Sequence, residues 1–412
     1  MALLGRMPSW RAELGTFQAL FAVAFAFFAI AVARAERYVH APWAAVVVLI
    51  VAVAARIAVL PAPPTLSDDI FRYIWEGRVA AHGENPFRLA PSAPELERLR
   101  DGVVFPRVNH PELATIYPPL SIAGFALVAA LSPTVWAMKL WILLHDLALV
   151  ALLVLWMQRR GESVVRAAAY AWCPLVIVEF AGSGHNDPTA LVWLVAALML
   201  AETRPLGSAL ALAVGALTKL VPLLALPFLL RRWPWRARLL AGGVLAFGLA
   251  WFWHQTRGAD SGLTAYGRVW RNNDLLFHYL ERLAGDPDQA RVLVVALMAA
   301  VTLFLLWRRA GCEIASRATL RATLIASPVA HPWYFAWPLA LEPLGPSAPW
   351  LLLSLTCVLS YGLLAPPGEG RGFHLPLEWR WVEYGAPLLL AVALALRSRG
   401  RASASRVGAS ES

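Results

Sequence analysis

Runs of apolar residues, each near the length that lets a helix cross a bilayer, recur from close to the first residue of this 412-residue chain to close to its last. Lipid offers the backbone no hydrogen-bond partner, so such runs must close their own bonds as helices. The reading is an all-α, polytopic integral membrane domain over residues 1–396, with about twelve segments: 15–34, 42–60, 118–132, 134–157, 163–181, 187–201, 207–230, 238–254, 291–307, 322–342, 346–363 and 381–396. Composition agrees, because only 15% of residues are charged where a soluble domain carries about 25%. The run after Arg6 and Arg11 is too long for a cleaved signal and reads as the first membrane helix.

Two segments look broken by polar groups. The segment 207–230 carries Lys219 and Pro222 in its middle, and 322–342 carries Pro328, His331 and Pro332. Such breaks survive at membrane depth only where protein buries them or they line a cavity.

The net charge of +10 would suggest nucleic acid in a soluble protein, but the arginines gather in short loops such as RRWPWRAR, as orientation signals do. Nucleic acid is excluded on that ground and the bilayer is the expected partner. The loop 231–238, the stretch 308–321 and the C-terminal tail are assigned to the cytoplasm. The long loops 61–118 and 255–290, and the shorter 364–380, are assigned outside. Arg159 and Arg160 do not obey this parity. The basic tail 397–412 reads as disordered. Cys173, Cys312 and Cys357 are too scattered for a disulfide scaffold or a metal cluster.

The most polar stretch, 66–119, begins LSDDIFRYIWEGRVAAHGENPF and ends NHPELATIYPPL. It sets Asp68 and Asp69 at the mouth of a membrane segment, where carboxylates suit chemistry on a substrate presented by the membrane. Glu76 shares a helical face with Asp69, two turns on. Asp68 has a structural alternative as the N-cap of a helix. A second polar knot, His185, Asn186 and Asp187, suits acceptor positioning, while Asp187 before Pro188 also fits an N-cap. Lys219 needs an anion, a path to water or a partner such as Glu179 or Asp146. His331 fits either a structural histidine or a phosphate or sugar contact. In the second long loop Tyr266, Arg268, Trp270, Arg271, Asn272, Asn273, Asp274 and His278 suit a sugar or phosphate, or an interfacial amphipathic helix. A divalent metal on Asp69, His185 and Asp187 is compatible with their chemistry.

Taken in order, Asp68-Asp69, Asn85-Pro86-Phe87, Tyr117-Pro118-Pro119-Leu120, Trp172 with Cys173-Pro174-Leu175 and Glu179, Gly182-Ser183-Gly184-His185-Asn186-Asp187, Gly215 to Pro222, Ser327-Pro328 and His331-Pro332-Trp333-Tyr334 resemble the GT-C class of membrane glycosyltransferases. The likeness is to bacterial mannosyltransferase-like families that use a polyprenyl-phosphate sugar donor, and it covers most of 60–342. It implies a GT-C-like fold in the cell (inner) membrane with an outward-facing site. The implied reaction is inverting transfer of a hexose, mannose above all, to a lipid or glycan acceptor. Asp69 or Asp68 would be the base. Glu76, Asn85, Tyr117, His185, Asn186 and Asp187 would position acceptor or sugar, and Lys219, His331, Arg268 and Arg271 would hold the donor phosphate. A transporter or flippase of an amphipathic lipid-linked substrate is the alternative, since it too would explain broken helices and a buried Lys219. It fits less well, because internal repeats are not evident.

Overall fold

A computed structural model describes residues 1–35, 43–256, 262–364 and 375–410, with side chains described through residue 398. Parts of the expected loops 255–290 and 364–380, and the last two residues of the tail, lie outside the described residues. The described backbone is helical apart from connecting loops and one isolated parallel bridge, Asn272 with Val329.

Each of the twelve expected segments overlaps helical backbone. Four helices are long and apolar enough to cross a membrane: Leu14–Arg34, Val135–Arg159, Pro287–Trp307 and Leu377–Ser398. A fifth results if Val164–Ala171 and Pro174–Ser183, bent by 52°, count as one span. Twelve full spans are therefore not what helix length supports. The remaining apolar helices, Ala44–Val59, Pro119–Leu131, Pro188–Leu200, Pro205–Thr218 and Ala348–Leu364, are shorter than about 20 residues. Several open on proline, which cannot continue a helix backwards. In the last helix the backbone runs helically to Ser410, through the stretch whose composition suggests a disordered tail.

Local chemistry sets the ends. Thr134 accepts from the Ala137 amide at 3.2 Å, capping Val135–Arg159, and Asp286 caps Pro287–Trp307 by accepting from Gln289 N at 2.8 Å. On the outer faces of these long helices Phe27, Ile30, Leu144, Val295 and Leu303 are exposed, as lipid-facing side chains must be.

The polar loop is itself ordered. Its helix Asp69–Ala81 packs closely along Pro119–Leu131, and Gly77 permits this because a Cβ there would stand 2.3 Å from the Phe125 carbonyl oxygen. Beneath it, Trp10 donates to the Leu4 carbonyl at 2.9 Å and fills the space that Gly182 leaves open.

One ion pair ties three elements together within the apolar bundle. Arg56, on Ala44–Val59, meets Asp146, on Val135–Arg159, at 2.6 Å, with both side chains fully buried. Tyr170 donates to the same carboxylate at 2.8 Å, and Arg56 also donates to the Ala52 and Ala171 carbonyls at 3.1 and 2.7 Å. Asp146 is thus not the partner of Lys219. Neutralising Arg56 alone strands a buried carboxylate, so Arg56→Met is expected to lose roughly 3–5 kcal/mol. The double variant Arg56→Met, Asp146→Leu is expected to recover much of that loss in denaturant unfolding of detergent-solubilised protein. A double variant no more stable than the single one would contradict the assignment.

Candidate functional site

A cavity of about 530 Å³ opens where the polar loop, the two broken segments and the second long loop meet. Asp69, Arg72 and Tyr73 enter it from helix Asp69–Ala81, Asn109 and Tyr117 from the rest of the polar loop, and Lys219 from the first break. Tyr266 and Trp270 come from the second loop, and His331, Trp333, Tyr334 and Trp337 from the second break.

The two adjacent aspartates have different surroundings. Asp68 holds the N-cap position of its helix but makes no capping bond; its carboxylate pairs with Arg107 at 2.6 Å on the surface. Arg107 in turn lies 3.9 Å from the Phe71 ring centroid. Asp69 faces the cavity. Its Oδ1 accepts from Asn109 Nδ2 at 2.8 Å, and its Oδ2 stands 4.0 Å from His185 Nε2. At 23% exposure this carboxylate is open to a ligand yet fixed in direction.

Glu76 lies on the same helix but behind the wall, not in it. It accepts from Arg72 Nε and from Thr115 Oγ1, both at 2.6 Å, and burial pushes its carboxyl upward against the pull of Arg72. Arg72 also donates to the Asn109, His110 and Leu113 carbonyls at 2.9, 2.7 and 2.5 Å. Glu76 and Arg72 therefore shape the loop that aims Asn109 at Asp69. Tyr117 meets the Tyr73 ring edge-on at 5.2 Å, and burial pushes both phenols upward, so each remains a neutral donor.

His185 follows a π-helical turn, Ile177–Ser183, and a left-handed glycine, Gly184 at φ +79°. The left-handed φ is what calls for glycine, and a Cβ there would in addition push on the Ile70 Cδ1 methyl, 2.5 Å away. The imidazole stacks on Trp333 at 3.8 Å between centroids, and Trp333 stacks on His331 at 4.4 Å, giving a histidine–indole–histidine pile. The Nδ1 of His185 lies 3.0 Å from Glu179 Oε2.

Asp187 takes the N-cap place before Pro188 without a capping bond. The fully buried carboxylate instead accepts from Lys219 Nζ and Trp337 Nε1, each at 2.5 Å. Lys219 is extended where helix Pro205–Thr218 stops, and the freed Thr218 carbonyl accepts from Ser121 Oγ at 2.8 Å. The lysine's partner is thus neither Glu179 nor Asp146. One-fifth exposed, the ammonium faces the cavity and lies 5.1 and 5.5 Å from the Tyr334 and Trp337 rings.

Some expected residues are elsewhere. Asn85 bonds Gln255 Oε1 at 2.7 Å and caps its own turn through Phe87 N, away from the cavity. Asn186 donates to Ser121 Oγ at 2.8 Å and accepts from Thr189, so it knits helices behind the wall. Arg268 is exposed outside the wall, and Arg271 is occupied by Asp274 at 2.5 Å and Glu281 at 2.7 Å. From that loop Asn272 does reach the site. Its amide nitrogen lies 2.6 Å from His331 Nδ1, and its backbone bonds to Pro328 and Ala330 pin the loop against the second break.

Asn109, which orients the cavity carboxylate, is a residue that sequence reasoning missed; only its place in the polar NHPEL run hinted at it. The buried Lys139, bonded to the Leu60 and Ala62 carbonyls beside the Gly184 turn, was missed as well. Among the described residues no group of three or more His, Cys, Asp or Glu converges as a metal site; Asp69 and His185 approach each other while Asp187 is taken by Lys219.

The arrangement sets a directed carboxylate and a partly exposed ammonium in one cavity with aromatic walls, which suits proton abstraction near a sugar and stabilisation of a departing anion. Neither the curated proteins nor the solved structures contain a match to this chain. A family model described as alpha-(1->6)-mannopyranosyltransferase, N-terminal domain, matches residues 3–235, a span that holds both aspartates, His185, Asp187 and Lys219. With more than half of its length matched, the chain belongs to this mannosyltransferase family.

Proposed function

We propose that the protein transfers mannose from a polyprenyl-phosphate donor to a hydroxyl of a lipid or glycan acceptor on the outer side of the cell membrane. The observation that carries this reading is the division of labour in the cavity: Asp69 is the acidic side chain in its described wall, and Lys219 is a cation in the same wall. Tyr266, Trp270, Trp333, Tyr334 and Trp337 supply rings on which a sugar ring stacks and against which an isoprenoid packs.

In the proposed reaction the acceptor oxygen attacks the anomeric carbon from the face opposite the phosphate, with inversion. Asp69 takes the hydroxyl proton, and Asn109 keeps its second oxygen from turning away. Lys219 donates one N–H to Asp187 and, remaining an ammonium, has two more N–H donors for the phosphate, whose charge grows as the carbon–oxygen bond breaks. His331, held by Asn272, stands in the same wall. The positive-inside rule supports the outer placement, since the polar loop that carries Asp69 has mixed charge while 231–238 is purely basic.

Purified protein with radiolabelled polyprenyl-phosphate sugars and a host lipid or glycan extract tests the reading. Asp69→Asn is expected to lower turnover by roughly 10²–10⁴-fold, the usual contribution of a general base. Asp68→Asn, which breaks only a surface pair, is expected to stay within about threefold of wild type. Wild-type turnover by Asp69→Asn would contradict the assignment.

Lys219 serves two anions in this account, so its replacement is expected to register twice. Lys219→Met leaves Asp187 buried with Trp337 alone, and should lower the ligand-free melting point while abolishing donor-dependent thermal stabilisation. Lys219→Arg is expected to restore the melting point in part and the donor response less well, because a planar fork replaces a point charge. A destabilised Lys219→Met with a full donor response would leave Lys219 only the Asp187 pair.

A further inference from the structure

Glu179 takes no part in the transfer as described, yet it is fully buried one residue layer behind Asp69. Its Oε1 accepts from Tyr361 at 2.7 Å, and its Oε2 lies 3.0 Å from His185 Nδ1. Among the described residues Glu179 Oε2 and both ring nitrogens are buried without a hydrogen bond of good geometry, so Glu179 and Nδ1 meet as a close charge contact, and the other nitrogen, Nε2, stands 4.0 Å from Asp69 Oδ2. Three groups thus form a file from the interior to the cavity, Glu179, His185 and Asp69. A shift of about 1 Å would bring the two atoms to hydrogen-bond length.

The file is held rigidly. The π-helical turn carries both Glu179 and the chain to His185, whose own amide donates to the Glu179 carbonyl at 3.0 Å. Trp333 stacks on one face of the imidazole at 3.8 Å between centroids, which favours the plane in which the ring lies. The charge of Glu179 favours a proton on the facing Nδ1, and the lone pair then falls on Nε2, toward Asp69.

We propose that Glu179 is a positioning residue for mannosyl transfer: it fixes the His185 tautomer, so that His185 Nε2 relieves Asp69 of the proton taken from the acceptor. The inference rests on the mannosyl-transfer reading above. The acceptor oxygen bonds to the anomeric carbon, the bond from that carbon to the phosphate oxygen breaks, and the electron pair leaves with the polyprenyl phosphate. The acceptor proton goes first to Asp69 Oδ2 and then to His185 Nε2. The imidazolium lies between two carboxylates until the products leave; the proton then returns from Nε2 to Asp69, which lines the cavity, and passes from there to solvent, so that Asp69 is again a base for the next turnover.

Other charged groups near His185 bear on any pH dependence. They are Lys139 beside the Gly184 turn, His331 across the Trp333 ring, and the Asp187–Lys219 pair. None of them forms an ion pair or hydrogen bond with Nε2 among the described residues, and Nε2 stands 4.0 Å from Asp69 Oδ2.

The test uses the full-length protein in bilayers. In ¹⁵N-histidine spectra, with the His185 signals assigned by difference from His185→Gln, the wild type is expected to carry its neutral-ring proton on Nδ1. Glu179→Gln should redistribute that proton between the two nitrogens. In the transfer assay Glu179→Gln is expected to lower kcat by at least about tenfold, with donor KM unchanged. The acid limb of its pH–rate profile should move to lower pH, because the negative charge that favours the imidazolium is gone. Glu179→Asp should recover part of both effects. An active wild type whose tautomer and acid limb do not respond to Glu179→Gln would overturn the relay, even if the variant melts at lower temperature. A wild type that shows the Glu179-dependent tautomer but transfers mannose from no donor would instead sink the mannosyl-transfer reading, and the relay with it.

Discussion

The site depends on the pair between Lys219 and Asp187. A fully buried carboxylate among membrane helices is costly unless it is paired and hydrogen-bonded, and here one oxygen receives both the ammonium and the Trp337 indole. Those three residues come from three different places where the helices are interrupted: the turn before Pro188, the stop after Thr218 and the short helix Ala336–Leu339 that follows the break after Ala326. The pair therefore draws together the broken ends that form one side of the cavity. It also leaves the ammonium, fixed on one side, partly exposed on the other.

Opposite this junction, the polar loop is a folded wall rather than a solvated connection. Arg72 spends its guanidinium on Glu76 and three carbonyls, which fixes the 109–113 turn and with it Asn109. Asn109 directs Asp69, and the neighbouring Asp68 is drawn outward by Arg107. Adjacent residues of a helix point in different directions, so two chemically equal carboxylates receive different tasks from geometry alone.

Much of this was legible in the sequence. Apolar runs located the helices, and Lys219 beside Pro222 marked a break because an ammonium at that depth requires a reason. The adjacent aspartates marked the loop, and the HND knot marked the turn behind it. What periodicity could not supply was partner choice. Asp187 before Pro188 reads as a cap, and only the meeting of distant segments shows it bound to Lys219. Arg271 looked available for phosphate, but two acids in the same loop region occupy it. Asn85 and Asn186 are polar residues in the right stretches whose amides serve the backbone and neighbouring helices. Helix length supports fewer full spans than the twelve apolar segments, since proline-opened helices of thirteen or fourteen residues look like spans in a hydropathy window.

The central claim is spatial: donor sugar at Asp69, donor phosphate at Lys219, isoprenoid against the aromatic wall of the second break. Cryo-electron microscopy of the protein with a polyprenyl-phosphonate mannose analogue, whose carbon–phosphorus link resists cleavage, tests it most directly. The account predicts density in this cavity with the sugar's anomeric carbon facing the Asp69 carboxylate and the phosphonate oxygens against the Lys219 ammonium. Density for the phosphonate away from Lys219, or for the sugar outside the cavity that Asp69 lines, would contradict it.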